Sequence, residues 1–208
     1  MNRFLIVFLV VLGIGVCGDG WAVSKAPREV GGFVLGKAIS DFADVVDMDT
    51  ALPIRYQEYL TEVEIRDQPG FKSGLIAYGT CASPGRIVRI KLKYADSSKK
   101  FYEALLNRMI SRYGEPDEWR GDPFHVVLAW KWAFVGPDGK RISMILQHNT
   151  LDMEQKMGNS IKLTCSTLLE EEQACFKKRF PDRHRHPGTA EGRGKGLGRA
   201  SWDRFVPQ

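Results

Sequence analysis

The residues with the most chemistry in this 208-residue chain are its cysteines, and only four are present, at 17, 81, 165 and 175. Cys165 ends an alternating stretch, Ser160 to Ser166, that reads as a strand with Ile161, Leu163 and Cys165 facing inward. Cys175 follows on a helix-forming run. Folding that helix back over the strand would bring Cys165 and Cys175 together, so a Cys165–Cys175 disulfide is the expected bridge, with Cys81–Cys165 as the alternative. Left unpaired, Cys165 or Cys81 could serve as a nucleophile if a base and a cation stood nearby.

A second concentration of reactive and aromatic groups lies at Trp119-Arg120-Gly121-Asp122-Pro123-Phe124-His125, just ahead of Trp130 and Trp132. Flat rings beside polar tips suit a glycan or peptide, so Trp119, Arg120, Asp122, Phe124 and His125 are the candidate binding residues. Trp130 and Trp132 share a strand face with Leu128 and Phe134 and read as core. His125, His148 and Asp122 lack the tight local spacing of a metal site. His184 and His186 are a weaker pair still. Asp41, Asp44, Asp47 and Asp49 are spaced as an acidic helix face rather than as a calcium loop, which needs acids at alternate positions and a closing Glu. No metal and no cofactor are therefore expected. The chain contains no GxSxG, phosphate-binding loop, HExxH or paired CxxC.

Leu163-Thr164-Cys165 at a strand end resembles the sortase motif, over those few residues alone. The resemblance implies a transpeptidase with His125 or His148 as base and Arg179 as the cation. The run that follows Cys165, TLLEEEQAC, favours a helix where a sortase continues its barrel.

These residues must be positioned by a chain whose start is the most informative segment. Arg3 is followed by 13 apolar or glycine residues, Phe4 to Val16, too few to span a bilayer comfortably but right for a secretory h-region. Gly20 and Ala22 put small side chains at −3 and −1 of a cut between Ala22 and Val23. Cys17 offers a lipidation alternative, although Val16 stands where that signal prefers a small residue, and an uncleaved anchor is the third option. All three place the remainder outside the cytoplasm. The expected compartment is periplasmic or extracellular, and the expected segments are a signal peptide at 1–22, one domain at 23–180 and a tail at 181–208.

The net charge of +5 does not belong to the body. Residues 177–208 hold nine Lys/Arg against three acids, which leaves 23–176 close to neutral. The tail is rich in Gly, Arg and Pro without helical or strand period, so disorder is expected, with anionic surfaces as its natural contact. Nucleic acid is not an expected partner, because the compartment is wrong. Inside the body, 38–67 carries eight acids against two arginines and 72–112 carries nine bases against two acids. These segments are expected to lie together and partly neutralise.

Periodicity supplies the elements. Strands are expected at 31–36, 59–65, 74–80, 87–94, 125–135, 141–149 and 160–166, and helices near 40, from 97 to 113 and from 167 to 180. Ile87–Tyr94 is the clearest, with Val88, Ile90, Leu92 and Tyr94 on one face and Arg89, Lys91 and Lys93 on the other. Thr167 and Glu170 have capping-box spacing. Three strands and a helix occur twice, over 56–113 and 124–180. The expected fold is α+β, an antiparallel sheet with helices packed on one face and a βββα pseudo-repeat. The expected function is a non-catalytic binding or accessory module of the cell envelope, acting on an envelope protein or polymer. The alternative is a secreted cysteine-dependent hydrolase or transpeptidase using Cys165 or Cys81.

Overall fold

A computed structural model describes residues 26–149 and 158–181. The signal-peptide, cleavage-site and lipidation readings at 1–22, and nearly all of the tail, lie outside the described residues.

Eight strands form one antiparallel sheet: β3 (Val46–Ile54), β4 (Gln57–Ile65), β5 (Phe71–Gly79), β6 (Ile87–Tyr94), β7 (Glu118–Trp119), β8 (Val127–Val135), β9 (Arg141–Asn149) and β10 (Asn159–Cys165). Their order in space is β3-β4-β5-β6-β10-β9-β8-β7. Each half is therefore a meander, and the last strands of the two, β6 and β10, pair antiparallel at the centre. A small hairpin, β1 (Glu29–Val30) with β2 (Phe33–Val34), precedes the sheet. Helices α1 (Lys99–Tyr113) and α2 (Ser166–Arg179) follow β6 and β10. The protein is α+β, and among the described residues no helix is long and apolar enough to cross a membrane.

Side-chain alternation gives the sheet two unlike faces. On the covered face one row of register partners runs Val63, Ile76, Ile90, Leu163, Met144, Trp132, each with at most 2% of its surface exposed. Phe33, Leu35 and Ile39 from the first segment bury themselves in the same core. Helix α1 covers the second meander. Its apolar stripe sets Tyr102 on His148, ring centroids 5.2 Å apart, and Tyr113 on Phe134 at 5.5 Å. Ser98 caps it by accepting from the Phe101 N–H at 3.2 Å, and Gly114 ends it with φ of 85°. The Gly114 carbonyl then receives the Trp132 indole N–H at 2.9 Å.

Helix α2 sends Leu168 and Phe176 into the same core and meets the start of β9, the end of β5 and the start of β4. Thr167 accepts the Arg141 N–H at 2.9 Å, Glu170 pairs with Arg141, and Phe176 meets the Tyr59 ring at 6.1 Å. The capping box is therefore not formed: α2 starts at Ser166, and Thr167 and Glu170 are spent on the neighbouring strand.

A further correction concerns the acidic segment. Asp47 and Asp49 lie on β3, not on a helix, and only Asp41 sits in a short 3-10 turn, Ile39–Phe42. Asp47, Asp49 and Pro53 hid this strand, which is an edge strand broken by register shifts where such residues are tolerated. The acidic and basic segments lie together in one half of the sheet, as expected: only β5 stands between β4 and β6, and Glu62 shares a row with Arg89 and acts on its charge.

Candidate binding face

The open face is built from the residues between the core positions. One row of register partners crosses all eight strands: Asp47, Glu64, Leu75, Lys91, Lys162, Ile145, Lys131, Glu118. Acids stand at both edges and cations in the middle. The next row runs Glu62, Ala77, Arg89, Thr164, Ser143, Ala133. Lys91 and Lys162 are thus direct cross-strand partners, with Arg89 diagonal to Lys162. Like charges directly opposite each other destabilise a sheet.

The cations are neutralised unequally. Glu118 accepts from Lys131 at 3.1 Å and from Arg120 at 2.9 Å. Arg89 donates to the Gln57 amide oxygen at 3.2 Å; burial lowers its pKa, and the charge of nearby Glu62 opposes that shift. Neither Lys91 nor Lys162 has an ion-pair partner among the described residues. Burial lowers the Lys162 pKa below its usual value, and the charges of Arg89, Lys91 and Arg120 lower it further.

Around Lys162 the face sinks into a hollow of about 490 Å³. Arg89, Arg120, Lys131 and Lys162 supply positive charge. Ser143, Gln147, Thr164 and Ser166 supply polar groups, and Ala129, Ile145 and Leu169 supply an apolar patch. Ser166 and Leu169 belong to the first turn of α2, so that helix walls one end. Its N-terminus carries no side-chain cap and adds the positive end of the helix dipole.

The position of α2 rests on two fastenings to the chain after β5. Cys81 and Cys175 form a disulfide with Cα atoms 5.8 Å apart. One turn earlier, the fully buried Glu172 carboxylate accepts four backbone N–H groups, from Thr80 (3.1 Å), Cys81 (2.7 Å), Ala82 (3.1 Å) and Ser83 (2.6 Å). A side chain on Gly79 would overlap that carboxylate, so glycine is required there.

This bridge replaces the expected Cys165–Cys175 pair. Cys165 is the residue before α2, and ten residues of helical rise carry Cys175 about 15 Å away, far beyond disulfide reach. Cys165 remains a free thiol, 2% exposed in the core. With Cys81 bridged and Cys165 buried, neither alternative nucleophile presents a thiol to solvent. His148 is also buried, with Nδ1 2.7 Å from the Asn159 side-chain oxygen. Arg179 ends α2 on the surface.

The five aromatic-loop residues do not form one surface. Asp122 holds a turn, accepting from the Phe124 N–H at 2.8 Å and from the Val127 N–H, and those bonds keep its carboxyl below the usual range. Trp119 packs edge-on against Trp130, centroids 4.7 Å apart, and meets the His125 ring at 5.7 Å. Phe124 projects into solvent, 86% exposed. Arg120 alone of the five lines the hollow. Lys162, Lys91 and Arg89 were missed because the pairing of β6 with β10 joins residues about 70 positions apart, which no local pattern records. The wet face of 87–94 was the one available signal.

No protein-family model matches the chain, and no curated protein or solved structure matches it either.

Proposed function

We propose that this is an exported, non-catalytic binding module of the cell envelope whose open sheet face takes an anionic ligand. The observation that carries the reading is the facing pair Lys91–Lys162, crowded by Arg89 and without a carboxylate in ion-pair reach among the described residues. A fold gains nothing from such a pair, whereas a bound anion offsets its repulsion and gains charge-assisted hydrogen bonds. The hollow is of small-molecule size, about 490 Å³.

Export is supported by the h-region at 4–16 and by the Cys81–Cys175 disulfide, a bond that persists in oxidising compartments. The mature chain begins at Val23, which mass spectrometry of the secreted product tests. The partner is an envelope protein or polymer bearing acidic groups, and the basic tail adds a second contact with the same kind of surface. We also read the two halves as copies of one unit, because each meander ends in a strand at the sheet centre and passes into a helix.

The test is a calorimetric titration with pyrophosphate and citrate at low salt. The reading expects binding to the full chain and its loss in Lys162→Gln. Absence of binding by both anions, or equal binding to Lys162→Gln, overturns it.

A further inference from the structure

The polar lining of the hollow narrows the ligand class, an inference that rests on the anion-binding reading above. Lys and Arg only donate hydrogen bonds, and they suffice for a bare inorganic anion. The hollow holds more than they need. Ser143, Gln147, Thr164 and Ser166 line it, and none makes a side-chain hydrogen bond to another described residue. Each of these side chains both donates and accepts, which is what a hydroxyl group requires of its partner.

Their placement is ordered. Thr164 and Ser143 are register partners on β10 and β9, beside Arg89 in the same row. Gln147 lies on the same face of β9, two positions beyond Ile145. Arg89 and Lys162, which have no ion-pair partner among the described residues, stand on the β6 and β10 side, Arg120 and Lys131 are paired with Glu118 on the β8 side, and the donor-acceptor groups of β9 lie between them. Ile145 and Leu169 leave a limited apolar patch, enough for one C–H face of a ring and too little for a wholly apolar body.

We propose that the hollow binds a sugar acid, a phosphorylated or carboxylated saccharide. Its anionic group sits at Lys162 and Arg89, and its hydroxyls are read by Thr164, Ser143 and Gln147. A site built to pair hydroxyls discriminates against an analogue lacking them, because its own polar groups are then left unpaired.

The test is titration of the full chain with hexuronates and hexose 6-phosphates of gluco, galacto and manno configuration. Cyclohexanecarboxylate and cyclohexyl phosphate are the controls, equal in ring size and anionic group and free of ring hydroxyls. At least one sugar acid is expected to bind about tenfold or more tightly than its control. Thr164→Val and Gln147→Leu should bring that sugar acid down to the control and leave the control unchanged, whereas Lys162→Gln should weaken both. Oligogalacturonate in place of the monosaccharide separates the sources: tighter binding identifies a polymer, equal binding a free sugar. If every sugar acid binds no better than its control, the inference is wrong while anion binding stands. If neither sugar acids nor controls bind, the anion reading itself is wrong, and this inference with it.

Discussion

Neighbouring residue pairs on the two central strands meet opposite surroundings. Ile90 and Leu163 are register partners on the covered side and are almost wholly buried. One step along, Lys91 and Lys162 are register partners on the open side. The first pair stabilises the sheet by removing apolar surface from water. The second repels across the same strands. The same backbone therefore holds a pair selected for folding and a pair that folding does not explain. That contrast separates stability from function residue by residue, so variants on the two faces should differ in sign as well as in size.

The largest loss is expected on the covered face. Trp132→Ala removes a 1% exposed ring at the end of the core row and leaves the Gly114 carbonyl without its indole donor. It should cost about 4 kcal/mol in urea unfolding. Cutting the fastening of α2 comes next. The Cys81–Cys175 bridge closes a loop of 94 residues, and Cys175→Ser should cost about 4 kcal/mol or somewhat less, measured without reductant. Glu172→Gln keeps the shape but opposes backbone donors with an amide, at about 2 kcal/mol in the same assay. Because Ser166 and Leu169 wall the hollow, both α2 variants should also weaken anion binding, which the core variant should not do until it unfolds.

Much of this arrangement was legible beforehand. Ile87–Tyr94 and Arg141–Asn149 begin and end where alternation places them, and Gly114 ends α1 as expected, although the cap is Ser98 rather than Asp96 or Ser97. The edge strand Val46–Ile54 was hidden by Pro53 and its acids. The disulfide was misread although the helix after Cys165 already excluded it by length. The hollow was the least legible feature. Lys162 alone is an unremarkable polar residue of β10, and it becomes a site residue only when the central pairing sets it against Lys91. Sequence periodicity reports which face a side chain takes, not which distant strand lies beside it.

On the open face the effects are smaller and reversed. Lys162→Gln relieves repulsion from Lys91, Arg89 and Arg120, and should raise stability by about 0.5 kcal/mol at low salt after solvent screening. The gain should shrink as salt is added. The pH dependence has a definite sign. The folded state lowers the Lys162 pKa from 10.5, so its protonated form carries a penalty that is full below the lowered pKa. That penalty fades as pH rises from the lowered value to 10.5, the interval in which only the unfolded chain holds the proton. Anion affinity runs the other way, falling over the same alkaline interval because the bound form needs the ammonium. Titrations at increasing pH should show the fall for the full chain and a flatter profile for Lys162→Arg, whose guanidinium stays charged.

The contrast between the faces is tested most directly by urea unfolding of the full chain and of the Lys91→Gln/Lys162→Gln double variant, each with and without pyrophosphate. Without the anion the double variant should be at least as stable as the parent. With pyrophosphate the parent should gain stability and overtake it, while the variant is unmoved. A double variant that is less stable without the anion, or an equal gain for both proteins with it, would contradict the assignment of this cationic face to a ligand.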